Sequence, residues 1–112
     1  MAGEIQVSFQ AGKTLFALIR NRVGQIWNTS SSAFEAYATA SFANYTITLT
    51  EQGTASGFYA GTFPGAIIPG VYNIVAKQQV GGSPAEGDGT VGTGEEQWNG
   101  SVMLPLSDLA TS

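Results

Sequence analysis

At the start of the chain Ile5, Val7 and Phe9 are apolar while Glu4, Gln6 and Ser8 are polar. A period of two places the first set on one face of an extended chain and predicts a half-buried strand. From Leu15 to Ile19 the alternation gives way to an unbroken apolar run, which predicts a strand covered on both faces. Asn21 to Gly24 supplies turn residues before "QIWN", so Thr14 to Asn28 reads as a hairpin with a four-residue loop. Strict alternation returns in "YTITLTE", with Tyr45, Ile47 and Leu49 expected inward and Thr46, Thr48 and Thr50 outward. "FYAGTF" continues the strand pattern, and the two Pro-Gly steps of "PGAIIPG" make a corner that cannot sit inside a sheet. "VYNIVAKQQV" then returns as a strand from Val71 to about Val80.

Three segments depart from this rhythm. In "SSSAFEAYATASFAN" the spacing of Ser32 and Glu35 is that of a capping box, which predicts a short helix from near Ala33. The weak helix formers Thr39 and Ser41, and the lack of an apolar stripe, favour an irregular excursion instead. Gly81 to Gly94 is glycine-rich and reads as a long loop with at most a short strand at Thr90 and Val91. Asn99-Gly100 is a strong hairpin signal between two strand-like runs. Residues 105–112 read as a polar tail. Tyr72, which enters a strand two residues after the Gly of a tight bend, fits either a tyrosine corner bonding back to the bend or a plain core tyrosine.

Seven or eight short strands separated by turn chemistry predict an all-β fold, an antiparallel β-sandwich of immunoglobulin-like or jelly-roll-like form with at most one short helix. The expected unit is a single domain over residues 1–104 with a loop at 81–94. At 112 residues the chain can bury a core without staples, and with no Cys it has none. Four Lys and Arg against eight Asp and Glu give a net charge of −4, the wrong sign for a nucleic-acid partner. No apolar stretch is long enough for a membrane helix, and the first residues lack an export signal, so the expectation is a soluble chain complete from Met1. Charged residues make up only 11% of the chain, about half the usual share, which suggests that much of its surface faces other protein. A small extracellular-type domain kept soluble by Thr and Ser is the other reading.

Candidate chemistry is thin. The chain has no His, so His-based general bases, zinc sites and triads are excluded. Neither Lys13 nor Lys77 belongs to a serine-lysine motif. The pairs Glu86 with Asp88 and Glu95 with Glu96 lie in or beside one loop and read as solvated charges rather than as glycosidase carboxyls. The same loop has oxygens for calcium but not the ligand spacing of an EF-hand, so no metal or cofactor is expected. Asn28, Asn44 and Asn99 match the N-glycosylation pattern as a by-product of composition. Side chains that could meet a partner are Ile67 and Ile68 on the Pro-Gly corner, Phe34 and Tyr37 in the excursion, Arg20 and Arg22 as anchors for acidic groups, and Trp27 and Trp98 at strand ends. Ile67 and Ile68 are equally compatible with a plug folding back on the sandwich, and the tryptophans with core packing.

Taken together, "LFALIRNRVGQIWN", "AFEAYATASFANYTITLTEQGTASGFYAGTFPGAIIPGVYNIVAKQQ", "GSPAEGDG" and "GEEQWNGS" resemble small β domains of tailed phages, prophages and some environmental bacteria. The resemblance runs from about Thr14 to Ser101 and rests on corners of composition, not on catalytic signatures. It implies a non-enzymatic virion structural protein, a capsid decoration or cement protein, with tail or baseplate parts as the alternative position. The implied partners are the major capsid protein or tail proteins in a homo-oligomer or symmetric assembly. A different class of function, an immunoglobulin-like module binding glycans or receptors through Trp27 and Trp98, is the competing expectation.

Overall fold

The computed structural model describes residues 5–100 and 103–105, the last three as backbone. The described residues form an all-β fold: β1 (Ile5–Ser8), β2 (Leu15–Arg20), β3 (Ile26–Asn28), β4 (Ala33–Glu35), β5 (Ile47–Glu51), β6 (Phe58–Gly61), β7 (Gly70–Gln78), β8 (Thr90–Trp98) and β9 (Met103–Pro105). One short 3-10 helix, Thr39–Asn44, lies between β4 and β5. Every pairing is antiparallel, in the order β1-β6-β5-β2-β7-β8-β9, with β3 and β4 branching from β2.

β2 explains the arrangement. Its residues Leu15 to Arg20 pair with Gln78 to Asn73 of β7 on one edge. On the other edge Leu15 to Ala17 pair with Leu49 to Ile47 of β5, and Arg20 pairs with Ile26 of β3. Both faces are also covered, as the apolar run requires. Leu15, Ala17 and Ile19 enter the main core, while Phe16 and Leu18 join Ile26, Phe42 and Tyr45 in a second cluster on the opposite face.

The sheet curls so that β1, β6 and β5 face β2, β7 and β8. Ile5, Leu49 and Tyr59 from the first set meet Leu15, Ile19, Tyr72, Ile74 and Trp98 from the second. The two layers of the sandwich are thus halves of one continuous sheet. Alternation holds in part: Ile5 is buried and Val7 and Phe9 half-buried, and Leu49 is buried while Thr48 and Thr50 are exposed, but Tyr45 precedes β5 and is buried in the second cluster rather than in the core that Leu49 enters.

Two segments differ from expectation. No helix begins near Ala33; Ala33, Phe34 and Glu35 pair with Asn28, Trp27 and Ile26 as β4. The Asn28 side chain accepts hydrogen bonds from the Ser30 and Ser31 amides and Ser32 turns at φ +53°, closing a hairpin where a cap was expected. Phe34 then packs on Trp27 and Tyr72, so tertiary burial of one ring outweighs a local helix preference. The loop expected over 81–94 ends earlier, because β8 starts at Thr90 and runs nine residues beside β7. β8 has few apolar side chains to betray it; its backbone is recruited by β7, which would otherwise leave its second edge unpaired. Trp98 pairs with Met103, so Asn99 and Gly100 do lie between two paired strands. Of the expected polar tail, Pro105 belongs to β9 and residues 106–112 lie outside the described residues.

Where β5 crosses β6 the sheet has no room for a side chain at Gly61. A Cβ there would lie 2.5 Å from Leu49 Cδ2 and 3.0 Å from the Thr48 carbonyl oxygen. Gly61→Ala is expected to destabilise the fold by about 1–3 kcal/mol through overpacking. Gly65→Ala, where a Cβ meets nothing within 4 Å, is the matched control and should leave the urea midpoint nearly unchanged.

Candidate functional site

The hairpin turn between β2 and β3 is built on one side chain. Asn21 Oδ1 accepts from the amides of Val23 (3.2 Å) and Gln25 (2.9 Å), and Asn21 Nδ2 donates to Gln25 Oε1 at 3.0 Å. Gly24, at φ +86°, completes the reversal. With its backbone so held, the turn presents Val23 to solvent at 80% exposure.

Beside it lies the Pro-Gly corner between β6 and β7. The Ile67 amide donates to the Pro64 carbonyl at 3.1 Å, and the Ile67 carbonyl accepts from Trp98 Nε1 at 2.8 Å. Ile67 is therefore a plug, 2% exposed, and Ile68 is a tip, 73% exposed. Tyr72 Oη donates to the Ile68 carbonyl at 2.6 Å, so the tyrosine corner is formed and fixes the tip.

A row of rings supports both features from beneath. Trp27 meets Phe34 edge-on at 5.0 Å, and Phe34 stacks on Tyr72 at 5.6 Å with the planes 2° apart. Tyr72 meets Phe63 at 5.8 Å, and Phe63 meets Trp98 at 4.4 Å. Above this row Val23, Phe34, Ile68, Val71 and Tyr72 line an apolar groove of about 300 Å³, with Asn21 and Arg22 on its polar side. Such a concavity suits one or two apolar side chains of a partner, with Arg22 as the rim charge.

Of the residues expected to meet a partner, the groove gathers Ile68, Phe34 and Arg22. Ile67, Trp27 and Trp98 are corrected: all three are buried, at 2%, 4% and 2% exposure, and work from behind the surface. The tryptophans therefore offer no exposed platform for a sugar. Val23 was missed; its signal was an apolar residue at the tip of the otherwise polar turn "NRVG".

Arg20 and Tyr37 lie in a separate polar cluster. The Arg20 guanidinium sits over the Tyr37 ring at 5.6 Å, and Tyr37 Oη donates to the Glu86 carboxylate, which Thr39 Oγ1 also meets at 3.1 Å. Lys77 Nζ donates to the carbonyls of Glu86 (3.1 Å) and Asp88 (3.2 Å), while Asp88 Oδ2 accepts from the Ala85 amide. These contacts tie the glycine-rich loop to the sheet with a side-chain ammonium in the place where a cation would need its carbonyl oxygens. No group of three or more metal-ligating side chains occurs among the described residues. Nor is any described helix long and apolar enough to cross a membrane. Asn28, one of the three glycosylation-pattern residues, is buried, and its side chain is engaged with Glu35, Ser30 and Ser31.

Comparison with protein-family models, curated proteins and solved structures finds no match to this chain.

Partial burial, then the Glu86 hydrogen bond and charge, push the Tyr37 hydroxyl up to about 12 against the opposing effect of Arg20. Burial foremost also raises Tyr45, helped by its hydrogen bond to Glu35, and burial alone raises Tyr72. Raised folded values mean that the neutral phenols favour the folded state. That contribution is complete below the ordinary tyrosine value of 10.0 and is lost as pH rises through the folded values, toward about 12 for Tyr37. Tyrosinate absorbance should therefore rise later than for free tyrosine, and folding stability should fall across the same alkaline window. Tyr37→Phe is expected to shift the upper end of the absorbance titration downward.

Proposed function

We propose that the chain is a non-enzymatic structural subunit that seats on a neighbouring protein, in the manner of a tailed-phage virion component, as a capsid decoration or cement protein or, alternatively, a tail or baseplate part. The observation that carries this reading is the pair of exposed apolar tips, Val23 and Ile68, flanking a preformed groove. Exposed apolar side chains scattered singly are ordinary, but here two stand together on backbone held by Asn21 and by the Tyr72 corner. Rigid tips lose little entropy on contact, which favours permanent assembly over transient capture. The sparse surface charge agrees with burial against protein, and the resemblance to phage β domains supplies the kind of assembly.

The reading is tested by producing the chain together with the structural genes beside its own gene, purifying the particles and imaging them. The expected result is density for the chain on a shell or tail with the groove covered. Val23→Ser combined with Ile68→Ser should fold as the parent does yet join particles with at least about thirty-fold lower affinity, since a central contact pair of this kind is worth about 2 kcal/mol or more. A chain that stays monomeric beside complete particles, or a double variant that joins them undiminished, overturns the reading.

A further inference from the structure

A second concavity of about 310 Å³ shares no residue with the groove. β1 forms one wall, and its floor is the core-facing side of β7 and β8. The register sets Ile74 opposite Gly94, Ala76 opposite Gly92 and Tyr72 opposite Glu96, so Gly92, Gly94 and Glu96 face inward with the core residues of β7. Over this part of β8 the sandwich carries no inward side chain but Glu96 and, at the bulge beside Ala76, Val91.

The two glycines call for a reason. Neither has a positive φ, and a Cβ on either would meet nothing within 4 Å. Gly92 flanks the bulge, but Gly94 lies in regular pairing. Glycine inside a strand weakens it, and where neither conformation nor crowding demands it, it marks a place where another backbone comes close.

The wall opposite is suited to such a backbone. β1 is an edge strand paired with β6 alone among the described residues. The Phe9 amide donates to the Gly57 carbonyl at 2.8 Å, so the alternate residue Ser8 turns its own amide and carbonyl away from β6, along the slot. Glu96 supplies the one charge. It is half-buried, burial raises its carboxyl above the usual range, and no cation meets it among the described residues.

We propose that the slot between β1 and β8 receives an extended strand of a partner protein, which pairs with the outer edge of β1 and sets a lysine or arginine against Glu96. Charge complementarity decides against a second copy as the occupant. Of this chain's four cationic side chains, Lys13 lies in the connection between β1 and β2 with its amide on Tyr59 Oη, Arg20 lies on Tyr37, Lys77 holds the loop carbonyls and Arg22 stands at the groove, so none lies on an unpaired strand edge. A basic segment of a different protein fits better. Main-chain pairing would give affinity, the glycine floor would admit the incoming strand, and Glu96 would select it. The inference extends the assembly reading to a second contact with its own chemistry.

The probes are two short peptides of alternating Val and Thr, one with a central Lys and the other with Glu in its place, titrated against the full chain. The Lys peptide is expected to bind saturably, about ten-fold tighter than the Glu peptide, and to slow exchange of the Ser8 amide. Glu96→Gln should bring the two peptides together. Gly94→Val, whose Cβ would meet nothing within 4 Å, should fold with an unchanged or raised Tm and lose binding. The Val23→Ser, Ile68→Ser chain should bind the peptide as the parent does, so that slot and groove can fail separately. Equal affinity for both peptides, or undiminished binding by Gly94→Val, overturns the proposal. So does a Ser8 amide already protected in the monomer, which means that the chain fills its own slot. Self-association that Gly94→Val abolishes overturns it in favour of a second copy.

Discussion

Two-sided enclosure of β2 is the constraint on which the molecule depends. A strand with Leu15, Phe16, Ala17, Leu18 and Ile19 in sequence cannot leave either face in water, so the chain must build a cover on each side. The curled sheet provides one. The excursion from β3 through the 3-10 helix provides the other, by delivering Phe42 edge-on to Phe16 at 6.0 Å and Tyr45 beside it. An excursion that looks decorative in sequence is therefore half of the enclosure. Its position is secured by Tyr45, whose hydroxyl donates to Glu35 at 2.7 Å and accepts from the Ala38 amide.

The ring row from Trp27 to Trp98 joins this enclosure to the outer surface. Its members are buried or half-buried, yet each end is tied to an element that shapes the groove: Trp27 to the β3–β4 hairpin, Trp98 to the Ile67 carbonyl. Surface tips backed by packed rings hold one geometry, which is what an assembly contact needs and what a mobile loop could not offer. The slot beside β1 follows the opposite logic. There the sheet withholds side chains, at Gly92 and Gly94, and leaves open volume between β1 and β8.

The strands with strong periodicity were legible in the sequence, because alternation in "YTITLTE" and continuity in "LFALI" each allow one kind of burial. Tyr72 was legible as one of two options, and its bond to Ile68 selects between them. β4 was not, since Ser32 and Glu35 satisfy a helix rule, while the extended form of Phe34 depends on its packing against Trp27 and the distant Tyr72. β8 was hidden by its composition: Thr, Gly and Glu carry no period, and the signal lay in β7, too long to stand with one edge unpaired. Ile67 and Ile68 are indistinguishable by type. Which one turns inward depends on the Pro64 turn and on the reach of Trp98, both set by tertiary geometry. The apolar groove itself was only partly legible, since the corner was expected but Val23, supplied by another hairpin, was not.

The register of β2 also has a kinetic side. Its long partner, β7, is reached only after the chain from Arg20 to Asn73 has been made and brought back. During synthesis β2 therefore emerges well before the strand that completes its longer edge, and loop closure over this span delays the protection of that edge. A nascent chain in that state is prone to stick to others of its kind. Crowded production in many copies would thus reward slow translation or a chaperone's hold on Leu15–Ile19 until β7 leaves the ribosome.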